Sequence, residues 1–211
     1  MRIRVTFSKT GALRYIGHLD LHKMWERTTR RANLALMYSQ GFHPQPKIQL
    51  ASALPLGFSS RCELVDLWVD GAVDLESLPP RLQKAVPPGL GILNVAHIDE
   101  KSPPMQTQLL SAEYQVTFFD QIDLVELDEH ISACLAAASL PRERRGKPYE
   151  LRPLIETLRL DEADAEGHPR LWMQLTAREG ATGRPEEVLD ALQVPYDGAR
   201  VERCGLVFKE N

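Results

Sequence analysis

Ile48-Gln49-Leu50-Ala51-Ser52-Ala53-Leu54 and Glu63-Leu64-Val65-Asp66-Leu67-Trp68-Val69 are two strand-like runs separated by Pro55-Leu56-Gly57-Phe58-Ser59-Ser60. Proline and glycine interrupt the apolar pattern between them, so the segment predicts a hairpin. On its N-terminal side, Leu21, Met24, Trp25, Thr28 and Ala32 recur at helical spacing within 19–33, with Asp20, Lys23, Arg27, Arg30 and Arg31 largely opposite. Ahead of that helix, residues 2–7 alternate basic with apolar residues and Lys9-Thr10-Gly11 ends the run, as a half-buried strand followed by a turn would. On the C-terminal side, residues 74–86 carry Leu75, Leu78, Leu82 and Val86 in helical rhythm, and residues 90–98 read as a strand. Pro79-Pro80 is compatible with that helix only near its first turn. The resulting order, β-α-β-β-α-β, is the split βαβ or ferredoxin-like pattern, in which two helices cover one face of an antiparallel sheet and the other face is available to a ligand.

Lys101-Ser102-Pro103-Pro104 is a polar, proline-bearing break, and much of the pattern returns after it. Residues 112–119 read as a strand, 124–138 as a helix with Leu127, Ile131 and Leu135 inward, 149–160 as mostly extended, 171–177 as a strand, 185–192 as a short helix and 201–208 as a closing strand. The expected fold class is α+β: two tandem ferredoxin-like units with antiparallel sheets, at residues 1–100 and 112–211, joined by a linker at 101–111. No residue-level repeat links the halves, so the duplication rests on the order of elements.

Charge is unevenly distributed. Residues 1–49 hold nine Lys or Arg against Asp20 and Glu26, a local +7, and residues 142–152 hold five against Glu143 and Glu150, a local +3, in a chain of formal net charge −4. Two basic patches on an acidic remainder predict local binding of an anionic partner. Cys62, Cys134 and Cys204 are isolated and odd in number, which argues against a disulfide framework or a metal motif of close cysteine pairs and fits a reducing cytoplasm. No apolar run approaches the roughly 18 residues of a membrane span. The opening Met-Arg-Ile-Arg-Val has no apolar h-region behind its basic start, so a cytoplasmic protein is expected.

The chemistry-bearing residues gather in a few places. His18 and Asp20 stand at the start of the basic helix after Arg14-Tyr15-Ile16-Gly17, where backbone N–H groups favour an anion and a histidine can relay a proton. Spacing of two along a helix points their side chains apart, and Asp there also suits a cap or dipole role. Lys23, Arg27, Arg30 and Arg31 have only Glu26 as an acid nearby, so they read as phosphate contacts as readily as a solvated face. In Gly41-Phe42-His43-Pro44-Gln45-Pro46-Lys47, Phe42 and His43 suit base stacking and Lys47 suits phosphate, against a rigid loop with Phe42 tucked into the core. Gly57, Ser59 and Ser60 fit an anion nest or a plain turn. Arg142, Arg144, Arg145, Lys147 and Arg152 around Gly146 form a second basic segment suited to clamping a polyanion, or a disordered one. Trp25, Trp68 and Trp172 sit among periodic apolar residues and are expected in the core.

Phe7-Ser8-Lys9-Thr10-Gly11, Leu13-Arg14-Tyr15-Ile16-Gly17-His18-Leu19-Asp20, Gly41-Phe42-His43-Pro44-Gln45-Pro46-Lys47 and Ala53-Leu54-Pro55-Leu56-Gly57-Phe58-Ser59-Ser60 together resemble the radical-SAM-associated proteins. These form a bacterial family of unassigned function, found alone or joined to a radical-SAM protein that also has a cobalamin-binding region. The match is dense over residues 7–69 and thin beyond, with residues 144–153 the clearest further similarity. Near Cys62-Glu63-Leu64-Val65-Asp66 the chain departs from the pattern, in which an aromatic commonly follows the Glu. The resemblance implies a radical-SAM partner that supplies the iron-sulfur cluster and S-adenosylmethionine, since this chain lacks the close three-cysteine motif that would hold a cluster. The element order is also similar to tandem ferredoxin-like RNA-processing proteins of CRISPR systems, although Tyr196-Asp197-Gly198-Ala199-Arg200 lacks their glycine-rich loop.

Three readings stay open from the sequence. The first is an accessory RNA-binding module without cofactor or metal of its own, contacting RNA through Arg14, Lys23, Arg27, Arg30, Arg31, Gly41, Phe42, His43, Lys47, Ser59, Ser60, Arg144, Arg145, Lys147 and Arg152. The second is a metal-independent RNA-processing or RNA-modifying enzyme with His18, aided by Asp20, as acid/base. The third is an adaptor whose basic face docks on an acidic protein.

Overall fold

The computed structural model describes residues 1–195 and 197–210 and gives an α+β protein with antiparallel strands. Tyr196, part of the stretch weighed for a glycine-rich loop, lies outside the described residues. The chain forms two compact units, Met1–Gln108 and Leu109–Asn211.

The first unit runs β1 (Arg2–Lys9), α1 (His18–Arg31), β2 (Ile48–Leu50), β3 (Ser59–Trp68), α2 (Leu78–Ala85), β4 (Leu90–Ile98) and α3 (Met105–Gln108). Its strands order as β4–β1–β3–β2, all antiparallel. Side chains alternate across a strand, so Ile3, Val5 and Phe7 of β1 share one face with Val65 and Leu67 of β3. Leu21 and Trp25 of α1 and Leu78 and Leu82 of α2 complete that core, with Phe7 edge-on to Trp25 at 5.0 Å between ring centroids. Trp25 is therefore a core residue, as its spacing predicts, whereas Trp68 and Trp172 are half-buried.

Local chemistry sets the ends of these elements. Asn33 takes φ +51° just beyond α1, letting Leu34 N–H bond to Thr29 O at 2.9 Å, while Arg81 of α2 donates to Ala32 O at 2.8 Å. The 74–86 helix begins only at Leu78, because Asp74 Oδ1 accepts from Glu76 N–H and Ser77 Oγ donates to Asp74 O, which holds 74–77 as a turn. The expected strand at 48–54 is just Ile48–Leu50, and the chain bends away at Ala51-Ser52.

The face opposite the helices carries charged side chains. Arg2 and Arg4 occupy it, and Arg2 donates to Ser102 O at 2.6 Å and Pro103 O at 3.2 Å. Gln106 of α3 reaches Leu50 O at 2.6 Å and Met105 is buried, so residues 102–108 are tied to this unit by hydrogen bonds and packing.

The second unit runs β5 (Leu109–Phe118), α4 (Leu124–Ala136), β6 (Pro141–Arg144), β7 (Lys147–Glu150), β8 (Ile155–Asp161), β9 (Arg170–Arg178), β10 (Ala181–Thr182), α5 (Pro185–Ala191) and β11 (Ala199–Phe208). Its sheet orders as β11–β5–β9, with β8 and β10 each pairing directly with β9. Strands β6 and β7 form a separate hairpin, where Arg145 and Gly146 both take positive φ (51° and 74°). That is the two-residue turn whose twist matches a hairpin, so the basic segment is ordered.

Candidate nucleic-acid interface

Helix α1 carries the densest cationic surface. Taken at 100° per residue, Lys23, Arg27, Arg30 and Arg31 fall within one stripe of the helix, opposite buried Leu21, Trp25 and Thr28. All four are exposed, and among the described residues none pairs with a carboxylate. Glu26, the acid that would otherwise offset them, is held by His22 Nδ1 at 3.1 Å. Four like charges over two turns repel one another, and an anion laid along the stripe relieves that repulsion.

The loop after α1 forms a tight ribbon. Tyr38 bridges Pro46, Ser39 N–H donates to Gln45 O at 2.8 Å, Gln45 N–H donates to Ser39 Oγ at 2.9 Å, and Lys47 N–H donates to Met37 O at 2.8 Å. Gly41, Phe42 and His43 make up its exposed tip, Phe42 being fully exposed at 102 % relative accessibility. The alternative of Phe42 tucked into the core does not hold. Lys47 is also exposed, with no carboxylate partner among the described residues.

The register separates this loop from His18. Met37 N–H bonds to Trp68 O and Trp68 N–H to Lys47 O, which fixes the loop's base at the C-terminal end of β3. His18 begins α1 behind Lys9, whose strand position pairs with Ser60 at the N-terminal end of β3. Helix α1, about 20 Å long at 1.5 Å per residue, runs between the two ends. His18 and His43 therefore flank the arginine stripe and do not converge in one cleft.

At the His18 end, the sequence-predicted residues have mostly structural contacts. Asp20 is exposed and has no side-chain hydrogen bond or ion pair among the described residues, so it does not orient His18. Lys9 is buried with Nζ donating to Ile16 O at 3.2 Å, and Arg14 Nε donates to Gly11 O. Gly57 N–H is taken by Arg14 O at 2.8 Å and Ser60 Oγ accepts from Cys62 N–H at 3.2 Å. Ser59 and Ser60 are buried, so the Gly57-Ser59-Ser60 turn offers no open nest.

In the second unit, Arg144, Arg145 and Lys147 project from the β6–β7 hairpin, exposed and without carboxylate partners among the described residues. Arg152 turns inward instead: its guanidinium donates to Leu135 O at 3.0 Å and Ile155 O at 3.1 Å, satisfying carbonyls in the last turn of α4 and at the start of β8. Arg142 lies within 4.0 Å of both Glu187 and Asp190. Burial pushes the Cys134 thiol up, against the opposing charges of Arg152 and Arg142, so this cysteine is a poor nucleophile at neutral pH. Asp164, Glu166 and His168 bring ligand atoms within 4.8 Å of one another. Asp164 Oδ1, however, already accepts from Glu166 and His168 backbone N–H, and its carboxylate bonds the His168 ring, so the group closes a turn.

The features that sequence reasoning missed are internal. Asp66, completely buried, takes Arg2 and Arg4 on its two oxygens. The positive potential at the surface therefore comes from Arg14, Lys23, Arg27, Arg30, Arg31 and Lys47, not from all nine early cations. The available signal was the position of Asp66 between apolar Val65 and Leu67 in the C-terminal half of β3.

The chain belongs to the family described as "Uncharacterized protein conserved in bacteria (DUF2344)", whose model matches residues 2–185. No curated protein matches it. Among solved structures, a chain of "Crystal Structure of a Cbf5-Nop10-Gar1 Complex" superposes with a TM-score of 0.51 at 11% identity, covering 99% of this chain and 50% of that one. The chain thus spans half the length of that structure, and the likeness is one of fold. "Crystal structure of putative glycine cleavage system transcriptional repressor" aligns over 100% of this chain and 98% of that one at 13% identity, with a TM-score of 0.24. No described helix is long and apolar enough to cross a membrane.

Proposed function

We propose that the chain is an accessory RNA-binding module built from two ferredoxin-like units. The observation that carries the reading is the stripe of Lys23, Arg27, Arg30 and Arg31, exposed and without carboxylate partners among the described residues. Lys47 and the exposed Phe42 and His43 add a phosphate contact and a stacking surface, and the Arg144-Arg145-Lys147 hairpin adds a second phosphate contact. The duplication is supported by the shared strand order, β4–β1–β3–β2 in one unit and β11–β5–β9–β8 in the other.

The sequence resemblance over residues 7–69 favours a radical-SAM enzyme as the partner, in the cytoplasm. Iron-sulfur cluster and S-adenosylmethionine belong to that partner in this reading, because Cys62, Cys134 and Cys204 are separated in sequence and none is in a disulfide. The module presents RNA for modification or processing carried out by the partner.

Fluorescence anisotropy with a labelled single-stranded RNA tests the binding. With four to five phosphates neutralised, log K falls with log salt at a slope of about −3. Changing Arg27, Arg30 and Arg31 together to Glu reduces affinity at low salt and flattens the slope by about 2. Salt-independent affinity, or an undiminished triple variant, assigns α1 to a solvated face.

A further inference from the structure

A cleft of about 420 Å³ opens in the second unit between the β6–β7 hairpin and the turn from β9 into β10, lined by Arg144, Tyr149, Leu154, Ala181, Thr182 and Arg184. Its size suits a nucleotide held by a few polar groups. Residues directly opposite in a hairpin share a face, so Arg142 and Tyr149, and Arg144 and Lys147, project from one side of β6–β7. On that side Arg142 lies within 4.0 Å of Glu187 and Asp190 of α5, the helix that Arg184 precedes, and those carboxylates offset its charge. Arg144 is exposed and has no hydrogen bond or carboxylate partner among the described residues. Arg184 engages Glu186 through Nη1 alone, at 3.4 Å, which leaves Nε and Nη2 without a partner among the described residues. Glu150 also lines the cleft, but its carboxylate accepts from Ser139 Oγ and Leu140 N–H, which holds it on their side. Two guanidinium groups on separate walls of one cleft repel each other, and an anion between them relieves that repulsion.

We propose that this cleft seats the terminal phosphomonoester of an RNA strand, its oxygens accepting from the Arg144 and Arg184 guanidinium groups, with the end nucleoside against Tyr149 and Leu154. The proposal rests on the RNA-binding reading and deepens it to recognition of a strand end. A terminal phosphate carries about two negative charges near pH 7 and has three free oxygens, which suits paired donation from planar guanidinium groups. An internal phosphodiester carries one charge and two free oxygens. The α1 stripe meets phosphates along the strand, so a preference for the phosphorylated end isolates the cleft from α1.

The test measures, by anisotropy, internally labelled RNA of one sequence with a phosphate at the 5′ end, at the 3′ end or at neither. The proteins are wild type, Arg144→Gln, Arg184→Gln and Arg145→Gln, with a melting curve for each. Wild type is expected to favour one phosphorylated end about tenfold over the unphosphorylated strand, the equivalent of one hydrogen bond to a charged group. Arg144→Gln and Arg184→Gln are each expected to bind all three strands alike. Arg144 has no protein partner to leave behind, so its variant decides the matter even where Arg184→Gln lowers the melting temperature. Arg145→Gln, on the hairpin turn and outside the cleft lining, is expected to weaken all three strands equally and keep the preference. No end preference in wild type, or a preference that survives Arg144→Gln, overturns the strand-end seat while leaving salt-dependent RNA binding intact. Displacement of the phosphorylated strand by AMP at equal concentration overturns it in favour of a free nucleotide. Binding of no strand overturns both readings and favours docking of the basic face on an acidic protein.

Discussion

Arg2 and Asp66 meet in the sheet of the first unit at 2.6 Å, with side chains 2 % and 0 % exposed, and Arg4 Nε closes on the other carboxylate oxygen at 2.8 Å. One carboxylate thus holds two guanidinium groups, and Arg2 carries the grip onward to the carbonyls of Ser102 and Pro103. The arrangement turns two apparently surface-facing cations into structural ones and ties residues 102–103 back to β1.

Removing Asp66 leaves the buried Arg2 charge without compensation. Asp66→Ala is expected to destabilise the fold by about 3–5 kcal/mol in urea denaturation, the usual consequence of breaking a buried pair. Combining it with Arg2→Met is expected to recover part of the loss, because the stranded charge goes with its partner. A double variant no more stable than Asp66→Ala alone would show that the stranded Arg2 charge is not the source of the cost.

Phe42 is expected to act on binding alone. A fully exposed ring contributes little to packing, so Phe42→Ala should leave the melting temperature near that of wild type. Affinity for single-stranded RNA should fall by about 1–3 kcal/mol, the typical contribution of a stacked aromatic. Unchanged affinity in anisotropy removes Phe42 from the interface and leaves the phosphate contacts of α1 in place.

The strand and helix order was legible because alternation and helical spacing are local properties, as in Ile3, Val5 and Phe7 or Leu21, Trp25 and Thr28. Long-range pairing was not. Nothing near Arg2 or Arg4 in the sequence announces Asp66, more than sixty positions away, and the two arginines therefore read as a basic face. Arg152 misled for the same reason, since its carbonyl partners exist only once α4 ends beside it. The exposed stripe of α1 and the tip of the 38–47 loop were readable because local spacing and turn chemistry fix both. The base of that loop was hidden, because it is set only where Met37 N–H bonds to Trp68 O and Trp68 N–H to Lys47 O.

His18 separates the accessory reading from the enzymatic one. Asp20 gives it no orienting bond, and the arginines and His43 are spread along and beyond α1 rather than gathered around it. The purified protein is therefore expected to neither cleave nor modify RNA, as followed by gel electrophoresis and mass spectrometry of the RNA. Robust metal-free turnover that His18→Ala abolishes would establish the enzyme instead.

The second unit offers an acid-sensitive contact with a definite sign. Hydrogen bonding from Arg159 holds the Asp161 carboxyl below its ordinary value of 3.8, against a smaller opposing effect of burial and with help from Gln115. A depressed folded-state value means that the unfolded chain takes up the proton first as pH falls. The stabilisation is therefore present above about pH 3.8 and is lost as pH falls through the lower folded-state value. Asp161→Ala removes it at every pH. The melting temperatures of wild type and variant should differ at neutral pH and draw together as pH falls below 3.8. Because Asp161 is partly exposed, the neutral-pH gap should be modest and shrink with added salt. A gap that persists undiminished into strong acid would assign the effect to lost packing rather than to the ionised carboxylate.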